Sequence, residues 1–119
     1  KKLCLINSIL YYIGFVTNEF LLSANKTLNS IFDLVNSFNY DLEIDFLDNN
    51  ITIEIDDDRV FIISIHEPSK QIWLSSPLSG AHHFSYSNEL KKWISTRNSD
   101  IELFSIVESE IKNIMNDDD

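Results

Sequence analysis

Acidic side chains recur at every second position in one short stretch of the chain. Asp41, Glu43 and Asp45 alternate with apolar residues, and a period of two is typical of a strand with one polar face. Alternate residues of a strand lie about 6.6 Å apart, so the three carboxylates would form a row that attracts iron or another hard cation through oxygen ligands, weakly, because exposed carboxylates are not a preformed cage. The same row also fits a solvated edge strand whose charges discourage pairing with another sheet, and the spacing leaves both interpretations open.

A second set of candidate residues lies around the segment 70–76. Ile72 and Leu74 alternate with polar residues and a tryptophan, so we expect helices to cover the aliphatic side and to leave Trp73 on an uncovered face. An exposed indole is a frequent anchor of protein interfaces, although a strand tryptophan also fits core packing. The predicted partner-binding set is Gln71, Trp73 and Ser75 with Ser64 from the strand before and His83 from the strand after.

Two amphipathic helices and about six strands would position these residues. Apolar residues at spacings of three and four predict a helix from a cap at Thr17 or Asn18 to residue 38, and a last helix opened at Asn98 or Ser99, where residues 99–102 fit a capping box. Between them, runs with a period of two begin near residues 41, 51, 59, 70, 81 and 90, and short turns join them. Such elements can bury their apolar sides only against each other, which predicts an α+β two-layer sandwich with both helices on one face of an antiparallel sheet.

Composition places the chain among single-domain globular proteins. Its 119 residues carry a formal charge of −10, so a cationic partner is favoured, and nucleic acid is disfavoured because phosphate binding needs a basic footprint. One cysteine, Cys4, excludes an internal disulfide framework and a self-ligated cluster with four thiolates. The apolar run 3–16 is shorter than the roughly 20 residues of a membrane-spanning helix, and it fits either a targeting segment or additional helix. Residues 17–115 form the predicted domain, and 116–119 form an acidic tail.

The string KQIWLSSPLSG over residues 70–80, followed by His83 and Phe84, resembles the signature strand of the frataxin family. The order of helix, strands, a second tryptophan at Trp93 and a closing helix supports the resemblance over roughly residues 17–115. The family has a helix–strands–helix sandwich, so the resemblance implies the same fold as the pattern of apolar residues.

The resemblance also implies a function in iron–sulfur cluster assembly, with iron (Fe2+ or Fe3+) held weakly and with a cysteine desulfurase and a scaffold protein as partners. Frataxins carry an acidic ridge on the first helix and first strand, and the helix positions that remain acidic here are Glu19 and Asp33. The family usually has Asn at the position of Ser64 and Arg at that of His83. The form of the signature resembles that of eukaryotic frataxins and some bacterial relatives, which favours a mitochondrion or a mitochondrion-derived organelle, and a monomer or an iron-dependent oligomer.

No autonomous catalytic centre is evident in the sequence. The chain has neither a phosphate-binding glycine loop nor a zinc-protease motif, and His82 and His83 should point to opposite faces of one strand. Two alternatives to the accessory function stay open: a ferroxidase or iron-storage protein, as ascribed to some family members, and a domain of the same fold that reads an unrelated basic partner.

Overall fold

The chain folds as a helix, six strands and a second helix. The computed structural model describes the backbone of residues 2–117 and the side chains of residues 19–116. The elements are α1 (Lys2–Ser37), β1 (Glu43–Leu47), β2 (Asn50–Glu54), β3 (Val60–His66), β4 (Gln71–Ser76), β5 (Gly80–Ser87), β6 (Lys92–Ser95) and α2 (Leu103–Asp117).

The six strands form one antiparallel sheet in the order of the sequence. Each strand pairs with the next through a short turn, and β3 lies near the centre, as its apolar composition predicts. Asp48 and Asn49 connect β1 to β2 with φ angles of 50° and 44°, the left-handed conformation that two-residue hairpins require. Gly80 begins β5 with φ of 86°, which a glycine adopts without the steric cost of a Cβ.

Both helices cover the same face of the sheet. Ala24, Leu28 and Ile31 of α1 are fully buried, as are Leu103 and Val107 of α2, and they share one core with the aliphatic side of the sheet. That side comprises Ile51, Ile53, Phe61, Ile63, Ile72, Leu74 and Phe84. The predicted α+β two-layer sandwich is therefore confirmed.

The predicted start of each helix differs from the start in the structure. The backbone of α1 is helical from Lys2 and continues through residues 17 and 18, so the predicted N-terminal cap at Thr17 or Asn18 is wrong. A capping residue marks the start of a helix only where the residues before it are not helical, and the run 3–16 is compatible with a helix. The use of that run as a targeting segment stays a prediction, and its side chains lie outside the described residues. None of the described helices is both long and apolar enough to cross a bilayer.

The last helix begins at Leu103 instead of residue 98 or 99. Both oxygens of the Glu102 carboxylate accept hydrogen bonds, from the amides of Phe104 at 2.8 Å and Ser105 at 3.1 Å, so Glu102 caps the helix itself. The predicted capping box, in which Ser99 would be the cap, is wrong. A carboxylate serves here because it satisfies two orphan amides and also opposes the positive end of the helix dipole.

Candidate functional site

The side of the sheet away from the helices carries the predicted partner-binding residues. We call it the open sheet face and define it by Gln71, Trp73, Ser75, Ser64 and His83, together with the neighbouring Ile62. Ile72 and Leu74 are buried in the core, so the alternation of β4 turns Trp73 to the opposite side. The strand register then places Ser64 of β3 and His83 of β5 directly beside Trp73. The structure thus brings the predicted set together on one surface.

Trp73 lies between two imidazole rings. The His66 ring stacks on one side with its centroid 3.8 Å from that of the indole, and the His83 ring stacks on the other at 4.4 Å, with interplanar angles of 15° and 14°. The indole Nε1–H donates to Gln71 Oε1 at 2.8 Å, and His66 Nδ1 lies 2.6 Å from Ser69 Oγ. Stacking and hydrogen bonds therefore fix the three rings in one orientation.

The stack changes the surface that a partner would meet. We expected an exposed indole, but Trp73 is half-buried because imidazoles cover both of its ring faces. The contact offered to solvent is the rim of three parallel rings, with Ile62 beside them at 41% exposure. A partner would therefore engage ring edges and aliphatic surface, and it would not stack on the indole.

The exit of β4 is tied to the second helix. Ser76 Oγ donates to Glu110 Oε1 of α2 at 2.6 Å and accepts from the amides of Leu78 at 3.0 Å and Ser79 at 3.1 Å. Ser76 is 7% exposed, so its bond to the Glu110 carboxylate is partly shielded from water, and hydrogen bonds to charged groups are stronger than those between neutral groups. One hydroxyl closes the turn after β4 and anchors the strand that carries Trp73.

The acidic residues of β1 and β2 lie together on one face of the sheet, at the edge that β1 forms. Glu43 of β1 pairs directly with Glu54 of β2, and both line a depression of about 260 Å³ together with Asp41. Asp45 pairs with Thr52 and lines a separate depression with Asp48. The predicted row is thus present as an acidic edge, but its members divide between two shallow sites.

Asp56 of the same edge is already engaged by a cation. Arg59 donates to Asp56 Oδ2 through Nε at 2.9 Å and Nη2 at 2.7 Å, and Asp56 Oδ1 accepts the backbone amides of Asp58 and Arg59. The side-chain hydrogen bonds from Arg59 lower the pKa of the Asp56 carboxyl, and the two amides add to the effect. This carboxylate closes the turn between β2 and β3.

The two acidic positions proposed on α1 lie apart from each other. Glu19 and Asp33 are both exposed, but fourteen residues of helix separate them by about 21 Å. Phe32 packs against Phe46 of β1 with centroids 6.0 Å apart, which puts the Asp33 turn near the acidic edge, whereas Glu19 lines a depression with Lys70 and Tyr86 near β4 and β5. Among the residues that the structure describes, no three His, Cys, Asp or Glu side chains converge as metal ligands would.

Comparison with known proteins identifies one family. The model of the frataxin-like domain family matches residues 15–117, which is most of the chain. The chain belongs to the frataxin family.

The frataxin relatives include bacterial and mitochondrial proteins. The chain is 36% identical over 81 residues to an iron-sulfur cluster assembly protein CyaY of Thioalkalivibrio sulfidiphilus, covering 66% of this chain and 75% of that protein. It is 34% identical over 95 residues to a mitochondrial frataxin homolog of Schizosaccharomyces pombe, covering 80% of this chain and 58% of that protein. The chain therefore spans little more than half the length of that mitochondrial relative.

Solved frataxin structures show the same fold. A frataxin from Psychromonas ingrahamii superimposes with a TM-score of 0.71 at 26% identity, covering 81% of this chain and 88% of that one. A trimeric frataxin from Saccharomyces cerevisiae, in complex with ferrous iron, superimposes with a TM-score of 0.67 at 29% identity, covering 76% and 82%. The open sheet face and the acidic edge of this chain are therefore surfaces of a frataxin fold.

Two features of this frataxin were not predicted from the sequence. His66 was not among the predicted site residues, because a single histidine beside Glu67 gives no signal until the register of β3 and β4 is known. Trp93 is 3% exposed, and its Nε1–H donates to Thr27 Oγ1 of α1 at 2.9 Å. The two tryptophans therefore have separate tasks, since Trp93 joins the sheet to the helix and Trp73 lies on the other side.

Proposed function

We propose that this chain is an accessory protein of iron–sulfur cluster assembly that docks on a cysteine desulfurase–scaffold complex through the open sheet face. Membership of the frataxin family and the CyaY relatives support the pathway. The observation that carries the docking proposal is the stack of His66, Trp73 and His83 on a face that no helix covers. Aromatic residues held rigidly on an uncovered surface are typical of interface anchors.

Iron is the proposed cargo of the acidic edge. Glu43 and Glu54 place like charges directly opposite each other, which is unfavourable until a cation lies between them. Asp41 borders the same depression, so the carboxylates of this edge would attract a hydrated cation and hold it weakly, largely through water. The same negative charges would attract a basic patch on the partner, and this attraction would favour docking beside the ring stack.

The test compares Trp73→Ala with wild type in sulfide release by a purified desulfurase–scaffold pair. If Trp73 is an anchor, its truncation should raise the half-saturating concentration about 30-fold, which corresponds to a loss of about 2 kcal/mol. Leu22→Ala is the matched control, because Leu22 is an exposed apolar residue (53%) on the helical layer. Equal stimulation by Trp73→Ala and wild type would contradict docking through this face.

Iron binding has its own test, since the docking and cargo proposals can fail separately. The Asp41→Asn, Glu43→Gln and Asp45→Asn triple variant should lose most Fe(II) binding in anaerobic titration, whereas Asp100→Asn on the loop before α2 should not. Oxygen consumption with Fe(II), measured on the same variants, decides the ferroxidase alternative: consumption unaffected by the triple variant removes it.

A mitochondrion or mitochondrion-derived organelle is the proposed location, and immunolocalisation of the full-length protein tests it.

A further inference from the structure

Three lysines meet in a groove at the edge of the sheet opposite the acidic edge. Lys26 of α1 and Lys91 and Lys92 at the start of β6 line a groove of about 370 Å³ between α1, β6 and the beginning of α2. Its polar lining also includes Ser23, Ser30 and Tyr86. We call it the lysine groove. The chain as a whole carries a charge of −10, so a concentration of positive charge here is unexpected.

The charges of these lysines are not used within the fold. In the part of the chain with described side chains, the ion pairs involve Arg59 and Lys112 and none of the three groove lysines. The one carboxylate that lines the groove belongs to Glu102, and its oxygens accept from Phe104 N, Ser105 N and Ser105 Oγ as the cap of α2. The three ammonium groups of the groove therefore form no ion pair among the described side chains, and the Glu102 carboxylate beside them is held by the helix cap.

The backbone gives a second, independent indication. Outside Gly80, positive φ angles occur among the described residues at Asn39, Asp48, Asn49, Lys70 and Lys91. Asn and Asp tolerate this conformation, whereas a lysine there is disfavoured by about 1 kcal/mol. Lys91, at φ 56°, lines the lysine groove, and Lys70, also at φ 56°, lines the adjoining depression that shares Ser23 and Tyr86. Lys91 thus holds a backbone conformation that disfavours lysine at a position that lines the lysine groove.

We propose that the lysine groove binds a small polyanion that carries two or more phosphate or carboxylate groups. The ammonium groups supply charge, and the hydroxyls of Ser23 and Tyr86 supply additional hydrogen-bond donors. The concave shape and the volume suit a ligand of metabolite size. The groove lies at β6, the acidic edge lies at β1, and the sheet separates them, so an anion in the groove does not compete with iron for ligands.

The experiment is an NMR titration of the full chain with inorganic pyrophosphate at low ionic strength, with citrate in a parallel arm. We expect saturable amide shifts confined to residues 23–30, 86–93 and 102–104, and weaker binding at high salt. Lys26→Gln and Lys92→Gln should each weaken binding about tenfold, and Lys92→Arg should retain it. Both lysines are exposed, so the variants should fold. Tighter binding of pyrophosphate than of citrate would identify phosphate as the ligand chemistry, and the reverse would identify carboxylate.

Lys112→Gln is the matched control. It changes the net charge equally, but Lys112 pairs with Glu108 at 2.8 Å on α2 and lies over the Phe38 ring, outside the groove. Equal weakening by this control would show that binding reflects net charge alone and would overturn the proposal. Two other results would also overturn it: no shifts at millimolar pyrophosphate, or lysine-dependent self-association without anion binding. None of these outcomes bears on docking through Trp73.

Discussion

The hydrogen bond between Ser76 and Glu110 should contribute a large share of the stability of the domain. Replacing Ser76 by alanine removes a 2.6 Å bond to a charged group, for which the expected loss is about 1.5–3 kcal/mol. The amides of Leu78 and Ser79 also lose their acceptor, but both residues are exposed and water can replace it, so this adds no more than about 1 kcal/mol. The free energy of unfolding should therefore fall by about 1.5–4 kcal/mol, and the melting temperature by about 10 °C.

Urea unfolding followed by circular dichroism measures this loss. Ser75→Ala is the matched control, because Ser75 is the exposed neighbour on the open sheet face and should change stability by less than about 0.5 kcal/mol. A double-mutant cycle with Glu110→Ala isolates the pair, and its coupling energy should exceed about 1 kcal/mol. If Ser76→Ala costs less than 1 kcal/mol, or if the two substitutions are additive, the bond does not anchor β4 to α2 and the reasoning is refuted.

Two further predictions concern the acidic edge. Glu54→Gln removes the like-charge pairing with Glu43 and should raise the free energy of unfolding by about 0.2–1 kcal/mol, measured in urea without iron; a decrease would contradict repulsion across the strands. The lowered pKa of Asp56 in the folded state means that its stabilising contribution is present above the unfolded pKa, about 3.9, and is lost as the pH falls through the folded value. Asp56→Asn should therefore destabilise the domain at pH 7, and the difference from wild type should shrink as the pH is lowered below about 4; a difference that is constant with pH would contradict the assignment.

The sheet could be predicted from the sequence because each strand carries its own signal. Short turns such as Asp48–Asn49 predicted antiparallel hairpins, the apolar composition of β3 predicted a central strand, and alternation with a period of two predicted the face on which Trp73 lies. The frataxin resemblance, based on the string at residues 70–80 and on the order of the elements, is confirmed by the family match over residues 15–117.

The site geometry could not be predicted, because it depends on contacts between residues far apart in the chain. His66 joins the ring stack only through the register of β3 against β4, and Glu110 reaches Ser76 across 34 positions. The predicted first residues of the helices were wrong for a local reason, because several residues near each start have side chains that can cap a helix. The choice between Ser99 and Glu102 depends on where the chain leaves β6. The lysine groove was not predicted because Lys26 is more than 60 positions from Lys91 and Lys92 in the sequence.

The ring stack has a thermodynamic consequence for recognition. A tryptophan on a surface ordinarily loses rotational freedom when a partner immobilises it, at a cost of about 0.5–1.5 kcal/mol for each ordered side chain. Here two flanking imidazoles and the Gln71 amide oxygen already hold the indole in a single rotamer. That entropic cost has been met during folding, so this side chain enters an encounter preorganised.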